Sequence, residues 1–347
     1  MTPHGTSAQP GRTGGEQLCR LYGLDIASEL DLHARREKAT SGVDVHVCLG
    51  ETVSASTTVP PGDLMAQWST DSGLVASFVR RPDASHLLRF ESTCDVTIDS
   101  RAEHVTVHMV EGVPETMGGV LVGGTVLSYL LLLRDEVVLH ASAVDIGGRA
   151  IAFVGSSGMG KSTMATLMCR DGGLLITDDV LRVTRDEDGV DRCALGATEL
   201  RLRAAASGLA DQFAEGGSHR STADDRRALS VPVCTDEGLP LAALFIPRPR
   251  RASPELSLTR LHTAAAALSL LSFPRILGIR DSRLLARQFE QMTDLAERVP
   301  VFLADVPWGP PFQDNLSETL LAALDEEIGE RATTGGAMDA PQDVEMR

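Results

Sequence analysis

The chain has 347 residues, 43% hydrophobic and 23% charged, an ordinary globular composition that excludes full disorder, a collagen-like repeat and a disulfide scaffold. A formal charge of −16 repels phosphate backbones and 4% aromatics leave few stacking platforms, so nucleic acid is set aside as a partner. Six scattered cysteines with no Cys-x-x-Cys pair read as reduced thiols of a cytoplasmic protein.

In chain order, residues 1–17 are rich in Gly, Thr and Pro and read as a disordered lead without the apolar core of an export signal. Residues 18–133 read as a strand-rich region with one buried helix. Its candidate strands, Val43–Leu49, Leu74–Val79, His86–Glu91, Asp95–Ile98 and Val105–Val110, mix apolar and polar positions as a half-buried sheet does. Met117–Leu133 is a largely apolar stretch of 17 residues that carries four glycines and runs directly into Arg134, Asp135 and Glu136. It is predicted to be a core helix and not a membrane span.

Residues 134–330 are predicted to form a second, α/β domain. VVLHASAVDI, a Gly147-Gly148 turn and RAIAFV read as a strand, a two-residue turn and a second strand. A helix from Ser162 to about Arg170 and the strand LLIT follow, then a polar loop at 211–228 and a strand at Leu241–Ile246. Helices are predicted at Thr263–Leu271, Ser282–Thr293 and Leu316–Ile328, and residues 331–347 read as a disordered tail.

Residues 155–162 spell Gly155-Ser156-Ser157-Gly158-Met159-Gly160-Lys161-Ser162, the pattern G-x-x-x-x-G-K-[ST], with Thr163 next. Glycines let backbone N–H groups turn inward around phosphate oxygens. Lys161 supplies a compact charge for the β- and γ-phosphates, and the Ser162 hydroxyl is a hard ligand suited to Mg²⁺. The helix that follows aims its positive end at the same place. The whole chain contains two lysines, Lys38 and Lys161, against 32 Lys+Arg in total. A sequence that uses Arg nearly everywhere still places Lys in this loop, where a forked guanidinium is too large.

LLIT ends in Asp178-Asp179, 17 residues beyond Lys161, so the pair is expected at the end of a neighbouring strand beside the phosphates. One carboxylate can ligate Mg²⁺ and the other can accept a proton from an attacking hydroxyl. A hairpin turning at Gly147-Gly148 sets residue 140 opposite residue 155, which brings His140 to the same place. Arg201 and Arg203 in ATELRLR, Arg226-Arg227 and Arg275 are candidates to neutralise the transferring phosphoryl group.

The segment from Val137 to Val183 resembles the core of HPr kinase/phosphorylase-type proteins, which share the fold of ATP-dependent phosphoenolpyruvate carboxykinases. The resemblance rests on the His before the loop, the loop itself and the strand ending in Asp-Asp. It implies an α/β (α+β) P-loop core, beside the strand-rich N-terminal half read from the residues, and acid/base work by His140 and Asp178. It also implies Ser162 and Asp179 near the metal, and ATP and Mg²⁺ as cofactors. The N-terminal half does not resemble the regulatory domain of the bifunctional HPr enzyme. YGLDIASELDL is instead similar to the opening of HPr-kinase-like proteins encoded beside peptide natural-product genes, some of which phosphorylate the C-terminal serine of a lasso-peptide precursor. The family's downstream Gly-rich signature has ATELRLR as its nearest counterpart, so Arg201 is the expected assisting cation.

The expected function is therefore a cytoplasmic, Mg·ATP-dependent kinase acting on a hydroxyl, foremost a serine of a peptide or small protein. A small-molecule alcohol kinase and a nucleotide-dependent ATPase or switch are the alternatives. Neither nucleic acid nor membrane is expected as a partner, and a homo-oligomer is compatible with the family.

Overall fold

The computed structural model describes residues 15–33, 36–37, 42–70, 73–202, 219–221, 227–250, 255–307, 309 and 316–335. The chain is a mixed α/β protein that divides into two compact units: Met1–Arg134 with Ile276–Asp281, and Asp135–Arg275 with Ser282–Arg347.

The first unit is built on eight strands. They are β1 (Gln17–Leu21), β2 (Leu24–Ser28), β3 (Val45–Leu49), β4 (Asp63–Thr70), β5 (Gly73–Arg80), β6 (His86–Phe90), β7 (Cys94–Ile98) and β8 (His104–Met109). They form one sheet in the order β1-β2-β3-β8-β7-β6-β5-β4. Strict alternation sets its faces: Cys94, Val96 and Ile98 of β7 and Val105, Val107 and Met109 of β8 are buried, and the residues between them are not. The five predicted strands are present within a residue or two. The sequence reading did not pick out β1, β2 or β4. The β1–β2 turn is Tyr22-Gly23, with φ of 53° and 72°, and Tyr at the first position hides the usual Asn-Gly or Asp-Gly signal.

The predicted apolar helix is α1 (Glu115–Leu133), the one helix among the described residues long and apolar enough to cross a membrane, with 61% of its apolar window buried inside the protein. Val122–Val126 form a π-helical turn in its middle. The Tyr22 hydroxyl donates to the Gly123 carbonyl at 2.8 Å and Ser128 Oγ donates to that of Gly124 at 2.7 Å, so two carbonyls in the irregular turn keep partners. The glycines let this helix come close to the chain beside it. A Cβ on Gly119 would run into the Asp31 carbonyl, whereas one on Gly123 would sit 3.5 Å from the Leu32 carbonyl. Gly119→Ala is therefore expected to destabilise this unit by about 1–3 kcal/mol in urea denaturation, and Gly123→Ala by less than 1 kcal/mol.

The second unit holds a nine-stranded sheet. Its strands are β9 (Val137–Leu139), β10 (Ala141–Ile146), β11 (Arg149–Val154), β12 (Leu174–Thr177), β13 (Leu181–Arg185), β14 (Asp191–Cys193), β18 (Leu239–Arg250), β19 (Ser257–Arg260) and β20 (Val301–Pro307). The main path runs β12-β10-β11-β18-β14-β13-β9, with β20 beside β18 and β19 beside β20. β15 (Glu199–Leu202), β16 (His219–Ser221) and β17 (Arg227–Ser230) form a separate three-stranded sheet. Ala150, Ala152 and Val154 of β11 join one apolar cluster, while Ile151 and Phe153 join another on the opposite face. That two-sided burial is why AIAFV is an unbroken apolar run.

The structure differs from the sequence expectations at four places. VVLHASAVDI is two strands, because β9 pairs with β13 whereas β10 pairs with β11 and β12. β12 does not adjoin β11, because β10 lies between them. The polar stretch 211–228 contains β16 and the start of β17. The last helix, Leu316–Gly335, extends past its predicted end into the expected tail. The helices Thr263–Leu271 and Ser282–Arg298 stand where they were expected, the latter five residues longer.

Candidate active site

The β10–β11 hairpin closes through Gly147 and Gly148, with φ of 63° and 80°, as a two-residue turn of this hand requires. Its register pairs Ala141 with Val154, and Gly155 N–H donates to the His140 carbonyl at 3.4 Å. His140 thus sits beside the start of the glycine-rich loop. That loop, residues 155–160, joins β11 to α2 (Lys161–Arg170). Gly158 and Gly160 have φ of 91° and 95°, a left-handed backbone that suits glycine. Ser156, Ser157 and Gly158 are exposed at its tip, and Thr163 is half-buried in the first turn of α2. Met159 folds back, its Sδ accepting the Ser156 N–H at 3.1 Å and its own N–H donating to the Ser156 carbonyl at 3.2 Å. Lys161 is buried and its Nζ donates to the same carbonyl at 3.2 Å.

α2 packs Met164, Leu167 and Met168 into the cluster that holds Val144, Ile151 and Leu175. This fixes β12, whose end delivers Asp178 and Asp179. The chain changes partners twice at this level. β9 gives way to β10 at His140, and β12 gives way to β13 at Asp178–Val180, where Thr177 Oγ1 donates to the Val180 carbonyl at 2.6 Å. Both breaks leave side chains facing one place.

The two aspartates have different surroundings. Asp178 is 3% exposed. Its Oδ1 accepts from Ser142 Oγ at 2.6 Å and Ser162 Oγ at 2.9 Å, and its Oδ2 accepts from the Arg201 backbone N–H at 2.8 Å. Asp179 has φ of 71°, a left-handed conformation uncommon outside glycine. Its side chain keeps 29% exposure, with Oδ1 3.1 Å from His140 Nε2 and Oδ2 3.0 Å from Arg275 Nη2. Burial pushes the His140 pKa below its ordinary value, reinforced by Lys161 and Arg275 and opposed by the hydrogen bond to Asp179.

The structure thus brings together His140, Lys161, Ser162, Asp178 and Asp179. The sequence reading paired Ser162 with Asp179, whereas the carboxylate meeting the Ser162 hydroxyl at 2.9 Å belongs to Asp178. Arg201 contributes its backbone N–H, and among the described residues its guanidinium has no hydrogen bond or ion pair. Arg275, named in the sequence only among several arginines, pairs with Asp179 at 3.0 Å. Arg203 and Arg226 lie outside the described residues. The sequence offers no signal for Ser142, because the strand pattern breaks at His140 and the face that Ser142 occupies follows from the pairing of β10. Among the described residues no group of three or more His, Cys, Asp or Glu could hold a metal by itself. A hydroxyl and a carboxylate meeting at the N-terminus of α2 are hard oxygen donors, and they fit Mg²⁺ shared with nucleotide phosphates.

No family model matches the chain, and no curated protein matches it. Among solved structures it is similar to the Hpr(Ser) kinase/phosphatase from Coxiella burnetii, at 14% identity over 59% of this chain and 99% of that one, with a TM-score of 0.32. That likeness is too slight to argue from, so the functional reading rests on the loop and the groups around it.

Proposed function

We propose that this protein is a Mg·ATP-dependent phosphotransferase with a P-loop core, acting on a hydroxyl, foremost a serine of a peptide or small protein. The observation that carries this reading is the 2.9 Å contact of Ser162 Oγ with the Asp178 carboxylate, at the end of a glycine-rich loop that also holds Lys161. Loop N–H groups from Gly155 to Thr163 and the Lys161 ammonium would bind the phosphates. Ser162 and Asp178 would hold Mg²⁺, which when bound offsets negative charge on the β- and γ-oxygens. Arg275 reaches the same place and would hold the transferring group. An ATP requirement gives the protein a cytoplasmic setting.

The test is γ-labelled ATP with Mg²⁺, offered Ser-terminated peptides, free hydroxy compounds and an HPr protein, with the wild type beside Asp178→Asn. The expected result is label on a serine peptide or protein, reduced at least ~100-fold in the variant. Label on a small hydroxy compound would identify a small-molecule kinase. Free phosphate from the wild type with no acceptor labelled would replace the kinase reading by an ATPase or switch.

A further inference from the structure

We infer that the segment Ile276–Asp281 is the positioning device for Arg275: it is paired to the edge of the first unit's sheet, and in that way the strand-rich unit sets where this arginine stands. The inference rests on the reading of Arg275 as a group that holds the transferring phosphoryl.

Four observations carry it. The first is the path of the chain. Arg275 belongs to the second unit, where its Nη2 meets Asp179 at 3.0 Å, and the next residue, Ile276, belongs to the first. The chain returns to the second unit at Ser282. One helix ends at Leu271 and the next begins at Ser282, so ten residues connect them. About 2–8 residues join most helix pairs, and here the added length is spent on β4.

The second is the pairing itself. β4 is the last strand of the eight-stranded sheet, and a sheet edge offers a row of backbone groups to any segment laid along it. Ile279 makes an antiparallel bridge with Ala66. The Gln67 N–H donates to the Gly278 carbonyl at 2.9 Å, and the Met65 carbonyl accepts the N–H of Arg280 at 2.8 Å and that of Asp281 at 3.3 Å. The β4–β5 register skips Met65, a bulge of the kind that re-aims an edge strand. Ile276, the first residue of the segment, is buried.

The third is the closeness of the approach. Gly278 has φ of 62°, and a Cβ there would run into the Gln67 carbonyl, which as backbone of β4 cannot turn aside. The fourth is at the arginine. Arg275 Nε is buried and has no hydrogen-bond partner among the described residues. A buried guanidinium N–H left over is expensive unless a ligand takes it, and a phosphoryl oxygen is the matching acceptor. Asp179 orients the guanidinium, while the bridge to β4 removes the backbone freedom that a long connection would leave to residue 275. A group placed in advance stabilises a transferring phosphoryl without reorganisation, so the placement has a kinetic consequence. Ile276, Gly278 and Ile279 act through Arg275 and are positioning residues.

The experiment uses the full-length chain. A Gly-Ser-Gly insert between Arg275 and Ile276 leaves every contact of the segment with β4 in place and frees the arginine from it. The same insert between Asp281 and Ser282 lengthens the return path and leaves Arg275 joined to the bridge. These two are compared with wild type, Arg275→Gln, and Arg275→Gln carrying the first insert, with melting temperature as the folding control. One readout is affinity for a fluorescent ATP analogue with Mg²⁺. The other is γ-phosphate turnover from labelled ATP, summed over transfer to Ser-terminated peptides and release to water. The insert after Arg275 is expected to lower turnover at least ~10-fold with nucleotide affinity within about 3-fold of wild type, and the insert after Asp281 to keep both within about 3-fold. In the Arg275→Gln background the first insert is expected to change turnover by less than about 2-fold, because the group it displaces is already gone. Gly278→Ala, which breaks the bridge without lengthening the chain, is expected to lower turnover in the same direction and likewise to have no further effect in Arg275→Gln.

Equal losses from the two inserts overturn the inference and leave the kinase reading standing. So does an insert after Arg275 that costs as much in the Arg275→Gln background as in wild type, since the effect is then not exerted through the arginine. Wild-type turnover in Arg275→Gln also overturns it, and removes Arg275 from the proposed site while leaving the loop and Lys161 in it. A wild type that binds no nucleotide, or binds it without turnover, overturns the kinase reading and the inference with it.

Discussion

Lys161→Ala is expected to lower phosphoryl transfer by about 10²–10³ fold, with the chain still folded. Lys161 opens α2 directly after Gly160, its side chain is buried, and its Nζ is anchored on the Ser156 carbonyl at 3.2 Å. A charge placed in advance stabilises a transferring phosphoryl group without reorganisation, and it acts more strongly out of water than in it. The informative companion is Lys161→Arg. The guanidinium keeps the charge but is planar and forked, and the loop returns on itself through Met159 and Ser156. It is expected to recover less than about a tenth of the lost activity. Both are measured as kcat/KM with γ-labelled ATP, with melting temperature as the folding control. An Arg variant near wild-type rate would mean that a general cation suffices, and that the loop does not grip phosphate as proposed.

The second large effect concerns stability and pH in the first unit. His86 is buried, with its Nδ1 2.9 Å from the Tyr129 hydroxyl, and the two rings meet edge to face. Burial pushes its pKa down to about 4, helped by the charge of Arg80 and opposed by that of Asp281. Burial pushes the Tyr129 phenol up, so Tyr129 stays neutral across this range. The unfolded chain binds a proton on His86 below about pH 6.5, while the native protein resists it until about pH 4. Stability from this group is therefore complete above pH 6.5 and is lost as pH falls towards 4, by up to ~3 kcal/mol. Urea denaturation of the wild type between pH 7 and 4 should show this loss on top of the carboxylate contribution. His86→Gln cannot titrate there and should show a flatter dependence. Equal slopes in the two proteins would mean that His86 is protonated in the native state.

The sequence by itself determined which reactive side chains lie close together along the chain, and much of the local structure. Gly155 to Ser162 stood out because its glycines, lysine and hydroxyl match a known spacing pattern, and spacing is a covalent fact. The hairpin turn at Gly147-Gly148 fixed the distance along the chain from His140 to Gly155, and the observed register follows from it. β7 and β8 were legible from alternation, and α1 from its apolar length.

The tertiary structure decided what depends on partners. VVLHASAVDI has one continuous strand pattern. Only the pairing of β9 with β13 and of β10 with β11 and β12 breaks it at His140. Asp178 and Asp179 are identical residues side by side, so nothing local separates them. Successive side chains at a strand end diverge, and their neighbours come from distant segments: Ser142, Ser162 and Arg201 for one, His140 and Arg275 for the other. Arg275 looked like any other arginine in an arginine-rich chain, because the features that single it out, a buried Nε and a bond to Asp179, arise from contacts across 96 residues of sequence. Residue type sets which chemistry is available; packing sets which of two equal residues is buried and which stays partly exposed.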